Sequence, residues 1–137
     1  MKDKTIQILL VDDDSIDREL FAEAIRDTQL KVRLEEVSNG EECLRFLQQG
    51  PYRPDIIFLD LNMPVKDGRE TLRDIKSDKD FHSIPVVILS TSNAHFDVKQ
   101  SYQSGANLFL SKPDDFNSLV EMLGYLLTLG SKYVFFP

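Results

Sequence analysis

The stretch from Asp55 to Gly68, DIIFLDLNMPVKDG, limits the possible folds of this chain more than any other. Its unbroken apolar run, Ile56 to Leu59, describes a strand covered on both faces, because a strand with one wet face alternates apolar with polar residues. Such strands belong to parallel sheets sandwiched between helices. The run ends on a carboxylate, Asp60, and in open parallel sheets ligands collect in the crevice at the carboxyl ends of the strands. Asn62 follows, Met63-Pro64 holds the chain extended, and Asp67-Gly68 turns it into a helix. The stretch reads as a loop that displays Asp60.

The same alternation of apolar run and helical pattern recurs along the chain. Ile6 to Val11 reads as the first strand, followed at once by Asp12-Asp13-Asp14. Ile16, Leu20, Phe21, Ala24 and Ile25 recur at helical spacing, giving a helix over about 15–27 capped by Asp14 or Ser15. Val32 to Val37 is a more polar strand suited to a sheet edge, and Ser38-Asn39-Gly40 leads into a helix with Cys43, Leu44 and Leu47 inward. After the Asp60 strand, Gly68, Thr71, Leu72 and Ile75 share one helical face. Val86 to Leu89 makes the fourth strand, running into Ser90-Thr91-Ser92, and a less apolar helix spans about 94–104. Asn107 to Leu110 is the fifth strand, ending at Ser111-Lys112-Pro113. Phe116, Leu119, Val120, Leu123, Leu126 and Leu127 outline the most regular amphipathic helix. Five strand–helix units imply an α/β fold: one doubly wound five-stranded parallel sheet with five helices and right-handed crossovers.

The 137 residues suffice for one domain with a real core. A formal charge of −7 argues against nucleic acid or an anionic membrane as partner, since phosphate binding draws on clustered Lys and Arg. The single cysteine, Cys43, has no internal disulfide partner and sits in an apolar helical pattern, so it is expected as a buried thiol. The N-terminal residues carry no signal-peptide hydrophobic region and no apolar run approaches 18 residues, so a cytoplasmic protein is expected.

The strand ends share one chemistry. Asp12-Asp13, Asp60, Ser90 and Lys112 all follow strands, so a parallel sheet gathers acids, a hydroxyl and an ammonium at one edge. With neighbouring strands roughly 4.8 Å apart, three carboxylates resist joint ionisation and call for a cation. Hard oxygen donors without nearby His or Cys favour Mg²⁺, with Mn²⁺ able to substitute. Such a site suits phosphoryl transfer to a carboxylate, with Asp60 as nucleophile. In that reading Asp13, Asp60 and the Asn62 backbone carbonyl hold the metal, Asp12 acts through metal-bound water, and Lys112 and Ser90 take phosphoryl oxygens.

LLVDDD, FLDLNMPVKDG, PVVILSTS and GANLFLSKP, in this order and spacing, resemble the receiver domains of two-component response regulators. The resemblance implies a flavodoxin-like receiver fold with strand order 2-1-3-4-5 over residues 1–129, and leaves 130–137 as a short aromatic tail. It implies Asp60 as phosphoacceptor, Asp12 and Asp13 as the acidic pair, Ser90 as switch hydroxyl, Lys112 as the invariant lysine and Phe109 as switch aromatic. It also implies a cis Lys112-Pro113 bond. On phosphorylation Ser90 would move in and Phe109 would fill the vacated space, reshaping the face of the fourth helix, fifth strand and fifth helix for a downstream protein target. Phosphoryl donation would come from a histidine kinase.

Within the family, DGRETLRDIKSD, the polar stretch before IPVV, and the SY-x-x-GAN segment resemble small stand-alone regulators paired with bacterial and cyanobacterial phytochromes. A phytochrome is therefore the expected donor. The short tail leaves output to surface contacts, and its Tyr133, Phe135 and Phe136 suggest a homodimer near the fourth helix, fifth strand and tail. Two rival readings are an unphosphorylated receiver-shaped docking module and an aspartyl-phosphate phosphatase of the haloacid dehalogenase type. The phosphatase wants a second Asp two residues after the nucleophile, where this chain has Asn62. The docking module leaves the full acid, Ser and Lys set without a purpose.

Overall fold

A computed structural model describes residues 5–132. The element order is β1 (Ile6–Val11), α1 (Ser15–Asp27), β2 (Val32–Val37), α2 (Gly40–Gln49), β3 (Ile56–Leu59), α3 (Gly68–Ser77), β4 (Val86–Ser90), α4 (His95–Gln103), β5 (Leu108–Ser111) and α5 (Phe116–Lys132). The strands form one parallel sheet in the order β2-β1-β3-β4-β5. The polar β2 stands at an edge, as its composition suggests, while the wholly apolar β3 lies at the centre with every residue buried.

Each face of the sheet has its own core. On one, Leu9, Val11, Ile57, Leu59, Val86 and Ile88 pack against Cys43 of α2 and Leu72 and Ile75 of α3. On the other, Ile8, Leu10, Ile56, Phe58, Val87 and Leu89 meet Phe21, Ala24 and Ile25 of α1 and Leu123 and Leu127 of α5. Phe21 meets Phe58 edge to face at 5.1 Å, the geometry favoured by the ring quadrupoles. Burial pushes the Cys43 thiol up to about 12, so it stays protonated and unreactive.

Four helices begin on side chains that accept backbone N–H groups: Asp14 for α1, Asn39 for α2, Asp67 for α3 and, for α5, Asp115, which takes Ser118 N at 2.7 Å. In α2 the Glu42 carboxylate also reaches back to accept from Ser38 N and Ser38 Oγ, one residue ahead of the cap.

The structure departs from the sequence reading in several places. α5 runs on to Lys132, three residues into the stretch read as a tail, because the helical pattern continues past Leu129. Ile16 and Leu20 are 66% and 40% exposed. Only Phe21, Ala24 and Ile25 of α1 are buried, and Ile16 lies in the exposed first turn. β5 starts one residue later than expected because the Asn107 side chain serves another purpose, accepting from Val86 N and Lys76 Nζ. The fourth helix is one residue shorter at each end, where Ala94 and Ser104 act as caps. All described peptide bonds are trans, Lys112–Pro113 included, so the implied cis bond is not found. Trans is the lower-energy isomer of an X–Pro bond by roughly 0.5–1 kcal/mol. The aromatic tail residues Tyr133, Phe135 and Phe136 lie outside the described residues.

Candidate functional site at the carboxyl edge of the sheet

Register builds the site. Val11 of β1 pairs with Leu59 of β3, so the next residues, Asp12 and Asp60, emerge side by side. The backbone continues the ladder one step further: Asp60 N donates to Val11 O at 3.0 Å and Asp12 N to Val37 O at 3.1 Å. Both carboxylates are thereby nearly buried, at 4% and 9% exposure, while Asp13 faces solvent. One oxygen from each of Asp12, Asp13 and Asp60 lies within 4.8 Å of the others.

Lys112 arrives from the far end of the chain. Its backbone N donates to Ser90 O at 2.9 Å, which continues the β4–β5 pairing. Its Nζ lies 3.0 Å from Asp12 Oδ2, 3.5 Å from Asp60 Oδ2 and 2.9 Å from Asp17 Oδ2. Ser90 is fully buried at the end of β4, and its Oγ accepts from Ser92 N. Phe109 is partly buried against the core on the α2–α3 side of the sheet. The exposed Asn62 directs its backbone N–H toward Asp60 Oδ1 at 3.4 Å, and its own side-chain oxygen receives Arg69 at the same distance.

One ammonium among so many carboxylates leaves the site short of positive charge. Burial outweighs all else for Asp12 and Asp60 and pushes both carboxyls above the ordinary range, against the pull of Lys112. Burial also works against the Lys112 charge, yet the hydrogen bond to Asp17 and the charges of Asp12 and Asp60 hold its ammonium well above the usual lysine value. A hard divalent cation fits this donor set, because it supplies the missing charge to oxygen ligands already converging.

The same imbalance has a consequence for stability. Carboxyls with raised native pKa values bind protons more readily in the native than in the unfolded chain. Their contribution is therefore present at low pH and falls as pH rises from the ordinary aspartate value of 3.8 through the raised values. Asp60→Asn, which removes one of these charges, is expected to raise metal-free stability at pH 7 by on the order of 1 kcal/mol. Thermal unfolding in EDTA checks this, with the gain shrinking near pH 4; a lower midpoint for the variant at pH 7 would contradict it.

Three participants escaped the sequence reading. Asp17 looks like an ordinary first-turn acid, and only the fold brings Lys112 to it. Arg18 donates to the Asp12 carbonyl at 2.7 Å and pairs with Glu36 across β2. Asp97 joins Arg69 to Ser92 at 3.0 and 2.6 Å, linking the Asn62 loop, α4 and the loop after Ser90. His82 and His95 belong to none of this.

An acid-lined crevice at the carboxyl edge of a 2-1-3-4-5 sheet, with a lysine reaching in from β5, is the architecture of a receiver. Residues 8–124 match the response regulator receiver domain, and the chain belongs to that family. It is 40% identical over 121 residues to the response regulator Rcp1 of Synechocystis sp., covering 85% of this chain and 82% of that protein. The crystal structure of Mn²⁺-bound Rcp1 superposes with a TM-score of 0.85 at 36% identity, covering 96% of this chain and 99% of that one. The phosphorylated cyanobacterial phytochrome response regulator RcpA superposes with a TM-score of 0.90 at 34% identity, covering 98% and 99%. No helix among the described residues is long and apolar enough to cross a membrane.

Proposed function

We propose that this protein is a phosphoacceptor response regulator that takes a phosphoryl group on Asp60 from a histidine kinase, with a phytochrome as the kinase. The observation that carries this is the convergence of Asp12, Asp13, Asp60 and Lys112 in one crevice. Asp12, Asp13 and Asp60, with the Asn62 carbonyl, are the residues to hold Mg²⁺, or Mn²⁺ in its place. Bound there, the cation would supply charge neutralisation for the transferring phosphoryl group. An Asp60 carboxylate oxygen forms the new bond to phosphorus as the donor's bond to phosphorus breaks, and the donor group leaves with that electron pair. Lys112 neutralises one phosphoryl oxygen. The Ser90 hydroxyl donates to another, and Phe109 follows it as the switch aromatic.

Turnover of an external substrate is not part of this reading, since Asn62 stands where a general acid would be needed. The phytochrome donor rests on the likeness to RcpA. Output runs through altered contacts with a downstream protein in the cytoplasm, from a receiver domain that includes α5 through Lys132. A homodimer near α4, β5 and the tail is supported by the exposed Phe96 and Tyr102 of α4 and Tyr125 and Leu129 of α5; light scattering that finds only monomer would remove it.

Treatment with acetyl phosphate and Mg²⁺ is expected to add about 80 Da, the mass of one phosphoryl group, and EDTA to prevent the addition. No adduct would favour a docking module. Continuous release of phosphate from varied phosphoesters would favour a phosphatase.

A further inference from the structure

Asp17 is closer to the Lys112 ammonium than the acceptor carboxylate is, at 2.9 Å against 3.5 Å. It does not belong to the acidic trio that converges on the cation position. Its place is set by α1: Asp17 N donates to Asp14 Oδ1 at 3.2 Å, so the helix cap fixes the turn from which this carboxylate reaches Lys112. A first-turn acid gains from the helix dipole, which explains an aspartate here. The dipole does not explain its bond to a lysine on the opposite flank of the site, 95 residues away in sequence.

Charge defines the consequence. Asp12, Asp13 and Asp60 are balanced by a divalent cation and Lys112, so Asp17 adds one negative charge in excess. A phosphoryl group adds about one more. The two therefore compete for a single ammonium.

We propose that Asp17 is a positioning residue that holds Lys112 off the acceptor carboxylate, slowing phosphoryl acceptance while strengthening the attraction of the crevice for the cation. This rests on the reading of Asp60 as acceptor. When a phosphoryl group arrives, its doubly charged oxygens draw Lys112 across from Asp17, and the side chain moves without any change in its protonation.

Asp17→Asn removes the charge and keeps the shape. At saturating Mg²⁺ the variant is expected to accept phosphoryl from acetyl phosphate about three- to tenfold faster than the parent, while its Mg²⁺ affinity by calorimetry falls about two- to fivefold. Asp17→Glu, which keeps the charge, is expected to stay near the parent in both. A residue that merely closes a helix end would change the thermal midpoint and neither of these quantities. Acceptance by Asp17→Asn at or below the parent rate, or an unaltered Mg²⁺ affinity, overturns the proposal. If the parent accepts no phosphoryl at all, the reading of Asp60 falls, and the Mg²⁺ comparison still decides whether Asp17 acts on the site.

Discussion

Lys112→Met is expected to lower phosphoryl acceptance by about 10²- to 10³-fold, the usual cost of losing a charge-stabilising group aimed at a transferring oxygen. The substitution keeps the aliphatic bulk and removes only the cation. Its structural effect follows from burial. Lys112 is the one ammonium within reach of Asp12 and Asp60 among the described residues, and all three side chains are largely shielded from water. Removing one partner of such a cluster leaves uncompensated buried charge, at a cost of about 3–5 kcal/mol. Part of that cost is avoided because the two carboxyls already hold protons more readily than usual. The variant should therefore unfold at distinctly lower urea than the parent in EDTA, and Mg²⁺ should recover much of the difference. Lys112→Arg is no rescue, since the planar guanidinium needs more room than the ammonium it replaces. Urea midpoints with and without Mg²⁺ and initial rates of adduct formation measure both effects. A variant that matches the parent in EDTA would show that Lys112 does not carry the local charge balance.

Gly68→Ala should be the most damaging change that touches no chemical group. Gly68 opens α3 directly beneath the acceptor loop, and its N–H donates to Leu61 O at 2.9 Å. A Cβ there would overlap the Asp60 carbonyl oxygen and lie 2.7 Å from Leu61 Cα. Both obstacles are backbone, so no side-chain rotation relieves them, and either α3 or the Asp60 segment must move. Helix propensity favours alanine by about 1 kcal/mol, whereas overpacking costs about 1–3 kcal/mol and reaches the upper end where the obstacle is backbone; the clash wins. A displacement near 1 Å at Asp60 would also slow acceptance by about 10²-fold. Gly124→Ala in α5 is the control. Its nearest neighbour would be Thr28 Cγ2 at 3.8 Å, so propensity acts alone and the same substitution should stabilise by about 0.5–1 kcal/mol. Equal effects at the two positions would contradict the packing of α3 on the Asp60 loop.

Much of the fold was legible because the deciding interactions are local or periodic. The apolar run of β3 announces a central strand, and the polar β2 announces an edge. Asp14, Asn39 and Asp67 cap helices for reasons readable within four residues. Strand order came from the family resemblance, and the sheet has that order. What stayed hidden depends on contacts distant in sequence. Nothing near Asp17 points to Lys112, and nothing near Arg18 points to the Asp12 carbonyl. Ile16 and Leu20 satisfy the helical period yet are exposed, because the period does not say which of its positions the rest of the fold covers. Val65 is a further case: it holds a left-handed backbone at φ 67° with its side chain exposed. That conformation costs on the order of 1–3 kcal/mol in a β-branched residue, and it lies in the loop that displays Asp60. Residue type alone argues against it, so only the closed β3–α3 connection reveals it.

The most direct test localises the phosphoryl group. Borohydride reduces an aspartyl phosphate to homoserine, which marks the modified position in a peptide map. After treatment with acetyl phosphate and Mg²⁺, the mark should fall on residue 60 alone and vanish in Asp60→Asn. A mark on residue 12 or 13, or a mark that persists in that variant, would contradict the assignment of Asp60 as the group this crevice was built to present.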